Sequence, residues 1–404
     1  MKIFIFEVAM RIYLNKGIKA LIIASLVLVA LALLLNISGF ILREEALFSR
    51  SGSYKGDQYL SVISKIDGII EANPRVIDIA LLGSHDSFSN EITKNSKVDP
   101  AESGMLANPA LRSLIGAYIA RFSKTQTEDA AGQLKAGVRY FDIRLSYVET
   151  ERGGEWWTKH GSLSAPFYIY LKQILEFLNR RTGEFVILDF QHVYTADKKI
   201  SDLFEYLATV DVNGKTIYDY IYYKAYGNDS IPLGKLRYNV VTDFGAESGA
   251  VMFVDLNELE TSYEKEKSDY KEFFYNRYDT VRSLWHESAS SRYLTKQIDK
   301  EAENILASST FDNMLRINQT QHAFTLKRAG DLSGIIFGWS LLRLAEKHNL
   351  KLVERAEFIE HLRAMPVFMV DFATSAYGDF IVKVNTKIME YNNNLCKGYG
   401  QKGY

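Results

Sequence analysis

The sequence predicts an α/β fold with parallel strands, and three observations carry that expectation. Apolar, strand-like runs recur along the chain, helical stretches separate them, and 404 residues suffice for one barrel-sized core with flanking segments. The runs are Val76–Leu82, Val138–Leu145, Phe185–Phe190, Ala250–Leu256, Met314–Asn318 and Val367–Phe372. Between the second and third, Ser164–Arg181 carries a helical apolar face of Ile169, Ile174, Leu175 and Leu178. It closes on Arg180-Arg181-Thr182-Gly183, where basic residues and a glycine suit a helix C-terminus. Strand, helix, strand in that order favours parallel pairing. Residues 97–125 read as an insertion, with an amphipathic stretch over Leu111–Phe122.

Composition removes several function classes. The formal net charge is −1, and no Lys/Arg run is long enough to track a phosphate backbone, so nucleic acid is not an expected partner. The single cysteine, Cys396, excludes an internal disulfide framework and a cysteine-based zinc site.

Ala20–Leu42 contains no charged residue. At about 1.5 Å per residue it is long enough as a helix to cross a hydrocarbon core of about 30 Å. Lys2, Arg11, Lys16 and Lys19 precede it, while Arg43, Glu44 and Glu45 follow. The positive-inside rule then keeps the N-terminus cytoplasmic and puts the rest outside. The stretch exceeds a typical signal-peptide core and lacks a small-x-small cleavage site after it, so an uncleaved anchor is the preferred reading. The expected organisation is a cytoplasmic segment at 1–19, a transmembrane signal anchor at 20–42, a juxtamembrane linker at 43–70 and an α/β barrel-sized domain at 71–404. The expected location is the cell membrane, single-pass, with that domain extracytoplasmic.

In parallel α/β barrels, reactive groups gather where strands end. The first run ends in Gly83-Ser84-His85-Asp86-Ser87, and the second in Asp142-Ile143-Arg144. A hairpin-like stretch from Trp156 to Lys159 ends in His160-Gly161. The third run ends in Asp189-Phe190-Gln191-His192, and the last in Asp371. This set meets a specific chemical need. Cleaving a phosphodiester through a neighbouring hydroxyl requires a base for that hydroxyl and an acid for the leaving oxygen, roles that two histidines fill near neutral pH. An arginine supplies paired donors to the phosphate, and carboxylates behind the imidazoles fix their tautomers. Asp189 and His192 read equally well or better as structural residues, and His286, His322, His348 and His361 have no comparable context.

Leu82-Gly-Ser-His-Asp-Ser-Phe-Ser89, Gly137-Val-Arg-Tyr-Phe-Asp-Ile-Arg144, His160-Gly161 and Phe185-Val-Ile-Leu-Asp-Phe-Gln-His192 resemble the X-region of phosphatidylinositol-specific phospholipase C, especially its X-domain-only members. The resemblance covers Val76–Tyr194 and returns at Asn318–Gln321 and Pro366–Phe372. It implies a distorted (β/α)8 TIM-like barrel and attack by the inositol 2-hydroxyl, giving diacylglycerol and a cyclic inositol phosphate. Residue by residue it implies His85 as general base, oriented by Asp371, and His160 as general acid, paired with Asp86. Arg144 then binds the phosphate, with Asp142, Gln191 and, by rough position, Arg237 contacting substrate. Calcium-dependent relatives carry acids at the positions of Arg144 and Gln191. The cation and the neutral amide here point to the bacterial metal-independent type, with no cofactor and with a phospholipid at a membrane surface as partner. A non-catalytic barrel binding lipid or sugar phosphate is the alternative. So is a glycerophosphodiesterase, although its His-Arg-Gly opening and glutamate-lined metal site are absent from the sequence.

Overall fold

The computed structural model describes residues 16–31, 62–102, 107–151, 153–196, 200–221, 231–243, 247–255, 270–308, 313–323 and 341–400. Its centre is a curled parallel sheet in the order β7-β6-β5-β2-β1-β10-β9-β8. In chain order these strands are β1 (Leu81–Ser84), β2 (Val138–Thr150), β5 (Phe185–Tyr194), β6 (Gly249–Val254), β7 (Phe274–Asn276), β8 (Val281–Ser283), β9 (Leu315–Gln319) and β10 (Val367–Val370). Two further strands, β3 (Gly153–Lys159) and β4 (Leu163–Pro166), form an antiparallel extension of β2. Every bonded neighbour in the main path is parallel, so all eight C-terminal ends share one rim. Strands β7 and β8 are not paired to each other, which leaves the curl open at that point.

Helices pack on the outer face of the sheet. Phe368 of β10 meets Phe358 at 5.1 Å and Tyr377 at 5.8 Å, which fixes the outward direction on that strand. Alternation then turns Met369 and Asp371 inward. Similarly, Phe88 stacks between Phe141 of β2 and Tyr170 of the helix Phe167–Arg180, at 5.5 and 4.6 Å. That sandwich pins the loop leaving β1, which begins with His85.

Each expected run contains or overlaps a strand, with shifted ends. Val76–Asp78 is a 3-10 turn instead of strand, because Arg75 donates twice to Asp78, at 2.5 and 2.8 Å, and closes the backbone. The two three-residue strands β7 and β8 are too short to leave a periodic signal. Val62, Ile63, Ile66 and Ile69 are buried in the main core, so packing begins ahead of the boundary expected at Glu71. Within the expected insertion lies the helix Pro109–Ser123. Residues 16–31 form an exposed helix. No helix among the described residues is long and apolar enough to cross a membrane, and the remainder of the expected span, 32–42, lies outside them.

Candidate active site

His85 leaves β1 directly. Its backbone N–H donates to Val370 of β10 at 3.0 Å, and its Nδ1 donates to Asp371 Oδ1 at 2.7 Å. Asp86 then turns back with a φ of 42°, an uncommon conformation for a non-glycine residue. Two contacts to Asp142 of β2 hold that turn: Asp86 N–H donates to the carboxylate at 3.2 Å, and Ser87 N–H to the carbonyl at 2.9 Å.

His160 arrives by another route. Strand β2 overshoots the rim, and β3 returns along its outer half from Gly153 opposite Thr150 to Thr158 opposite Leu145. The return brings His160 to the level of Arg144. Its Nδ1 donates to the Ser123 carbonyl at 2.9 Å and lies 3.2 Å from Asp86 Oδ2. The His85 and His160 ring centres are 6.0 Å apart, nearly perpendicular.

Arg144 completes the cluster. Its Nε lies 2.5 Å from Asp86 Oδ1, and its Nη2 lies 3.2 Å from Asp142 Oδ2 and 3.1 Å from His85 Nε2. Asp86 is held by charge rather than by aligned hydrogen bonds, since neither of its buried oxygens meets hydrogen-bond geometry. Burial opposes its ionisation, but Arg144, His160 and His85 outweigh that and bring its pKa down to about 2. Burial likewise opposes protonation of His85, but Asp86 and Asp371 push its pKa up to about 9. An arginine N–H facing Nε2 requires neutral, accepting Nε2; the imidazolium would instead turn its proton to Asp86 Oδ2, 3.3 Å away. His85 therefore has a partner waiting in either protonation state. Burial raises the pKa of Asp371, and the His85 contact works against that rise.

His85, Asp86 and Asp142 offer ligand atoms within 4.8 Å of one another, the spacing of a small cation site. The Arg144 guanidinium lies on the same two carboxylates, so a cation would have to displace a fixed positive charge. The residues present do not fit a metal with Arg144 in place.

Of the sequence-derived residues, His85, Asp86, Asp142, Arg144, His160 and Asp371 converge. Gln191 stands on the adjoining wall, donating to the Tyr140 hydroxyl at 3.5 Å. Arg237 does not reach the site. It precedes the short helix Tyr238–Val241, bridges to Arg75 and donates to the Asn73 carbonyl at 3.5 Å. It sits there because its segment leads into β6 instead of leaving it. The arginine missed by sequence reasoning is Arg277, at the C-terminal end of β7. Its Nε donates to both Asp189 oxygens, at 3.0 and 2.9 Å, and Asp189 also accepts from the Tyr140 hydroxyl. The apolar triplet Phe273-Phe274-Tyr275 just before Arg277 is too short to register as a strand run. Gln126 was missed too. Buried, it donates to the His85 and Val370 carbonyls at 3.0 Å each and accepts from Ala373 N–H at 3.1 Å, tying the loops of His85 and Asp371 together.

Fold and rim together define an α/β protein whose curled parallel sheet presents paired histidines, an arginine and buried carboxylates at one end. Known proteins share part of this sequence and its fold. PI-PLC X domain-containing protein 2 of Homo sapiens is 34% identical over 121 residues, spanning 30% of this chain and 40% of that protein. PI-PLC X domain-containing protein 3 of Bos taurus is 36% identical over 123 residues, 30% of this chain and 38% of that protein. The variant-surface-glycoprotein phospholipase C of Trypanosoma cruzi is 32% identical over 129 residues, 30% of this chain and 34% of that protein. The chain thus spans about two fifths or less of the length of these curated relatives. Among solved structures, the phosphatidylinositol-specific phospholipase C from Listeria monocytogenes aligns with a TM-score of 0.52 at 17% identity, covering 80% of this chain and 97% of that one. No family profile matches the chain. Over 30% of its length the chain is thus similar to PI-PLC X domain-containing proteins, and its fold is similar to that of the Listeria monocytogenes phospholipase C.

Proposed function

We propose that this protein is a metal-independent phosphodiesterase that cleaves phosphatidylinositol to diacylglycerol and a cyclic inositol phosphate. The observation that carries the reading is the pair of histidines 6.0 Å apart, each beside a carboxylate, with Arg144 held on Asp86, Asp142 and His85 Nε2. A docking phosphate draws Arg144 from His85 Nε2 and leaves that nitrogen to take the proton of the inositol 2-hydroxyl. The hydroxyl oxygen bonds to phosphorus, the bond from phosphorus to the glycerol oxygen breaks, and His160 Nε2 protonates the departing oxygen. Proton exchange with solvent resets the two imidazoles. Arg144 neutralises the charge that develops on the phosphate, and Asp371 and Asp86 favour the imidazolium forms. Gln191, Tyr140 and Arg277 line the wall where ring hydroxyls sit.

A lipid substrate agrees with the apolar groups at the mouth. Tyr278, Leu284, Trp285 and Tyr293 follow the C-terminal ends of β7 and β8 and are exposed. The wider proposal is a distorted (β/α)8 barrel tethered through 20–42, working on the extracytoplasmic side of the membrane. The test is turnover of phosphatidylinositol vesicles by the full chain and its single-histidine variants. His85→Ala and His160→Ala are each expected to lose about 10²–10⁴-fold in rate. Wild-type rates in His160→Ala would remove the acid assignment, and no turnover of any inositol lipid by the wild type would leave a binding barrel.

A further inference from the structure

Strands β2 and β5 run in register through Ile143 opposite Phe190, and then β5 gains a residue, so that Arg144 lies opposite His192 instead of Gln191. Two residues of β5 then oppose one of β2, a bulge that re-aims side chains beside the site. Gln191 reaches Tyr140 on the inner wall, and His192 stands exposed at the mouth beside Arg144. The charged groups facing His192 are Arg144 and Asp142 of β2, Asp86 of the β1 loop and Lys159 at the end of β3. Lys159 is committed to Asp99 at 2.9 Å, and Arg144 to its carboxylates. The reaction outlined above gives His192 no task.

We propose that His192 is a second anion-binding side chain of this site, gripping an unesterified oxygen of the phosphodiester that Arg144 holds. This rests on the phosphodiesterase reading and adds a substrate contact that neither histidine of the acid–base pair supplies. The electrostatics agree in sign. Packing around the ring, and then the charge of Arg144, hold His192 below the ordinary imidazole range, so it is neutral in the free protein near neutral pH. An arriving phosphate offsets Arg144 and favours the imidazolium, whose N–H then makes a charge-assisted hydrogen bond. The grip therefore strengthens as pH falls and weakens as pH rises.

The test is steady-state kinetics of the full chain on a water-soluble inositol phosphodiester, comparing wild type, His192→Gln and His192→Lys from about pH 6 to about pH 8, with circular dichroism as the folding control. For His192→Gln, KM is expected to rise about tenfold or more while kcat changes by less than about threefold, and the part of the KM rise with pH that depends on His192 disappears. His192→Lys, with a fixed charge, restores a low KM that no longer climbs over this range. An His192→Gln protein with the KM and pH dependence of an active wild type overturns the inference alone. A wild type that cleaves no phosphodiester overturns it together with the reading beneath it.

Discussion

Two arginines five residues apart on β2 meet buried carboxylates in opposite ways. Arg139, near the start of the strand and facing the helices, is fully buried. Its Nε donates to Glu184 at 2.8 Å, its Nη1 to the Leu134 and Val138 carbonyls at 3.0 and 2.8 Å, and it lies 4.6 Å over the Phe177 ring. Arg144, at the rim and facing inward, keeps a side chain 22% exposed and is shared among Asp86, Asp142 and His85. One ion pair has its bonds completed within the protein. The other is surrounded by carboxylate oxygens that lack aligned donors, Asp86 Oδ1 and Oδ2 and Asp371 Oδ2. A closed pair holds a fold together, and an open one is available to a ligand.

That contrast breaks if exchanging roles has no effect, and the largest effect is expected at the rim. Arg144→Met should retain the fold yet lose about 10²–10³-fold in kcat on phosphatidylinositol, the usual worth of one electrostatic contact to a developing charge. Arg139→Met should do the reverse. It removes the guanidinium paired with buried Glu184 and should lower unfolding free energy in urea by about 3–5 kcal/mol, with little change in activity per folded molecule. Smaller effects refine the picture. Gln126→Ala removes the tie between the His85 and Asp371 loops and should lower kcat by about tenfold, with KM changing less, as a loosened catalytic geometry would. Arg237→Ala, beside Asn73 and Arg75 in the segment leading into β6, should leave kcat/KM within about twofold.

The pH profile sharpens the same contrast. If His85 is the base, as proposed, it acts in the neutral form, and because Asp86 and Asp371 raise its pKa to about 9, kcat/KM should climb with pH toward that value. Asp371→Asn removes a negative charge from the imidazolium and should shift this rise to lower pH. A group whose folded pKa is raised from 6.5 to about 9 contributes stability that is complete below 6.5 and is lost as pH rises through about 9.

Much of this arrangement was legible before the fold was seen, and the exceptions have physical causes. Strand-end positions are local, so His85, Arg144, Asp142 and Asp371 could be read from where apolar runs stop. His160 was found by the same filter although its strand is an antiparallel return beside β2, not a barrel strand. The misplaced Arg237 and the overlooked Arg277 share an origin. A three-residue strand leaves no periodic trace, so the end of β7 was invisible while a more distant arginine seemed to fill its place. Gln126 works through backbone carbonyls of segments far apart in sequence, which residue types alone do not reveal. The bulge that turns His192 toward Arg144 exists only in the pairing of β5 with β2.

The most direct measurement is phosphorus NMR of phosphatidylinositol vesicles incubated with the full chain in EDTA. A resonance of a five-membered cyclic phosphodiester that appears at an undiminished rate is the expected result. Turnover that stops on chelation, or an acyclic phosphate as the first product, would contradict metal-free cleavage by His85, His160 and Arg144.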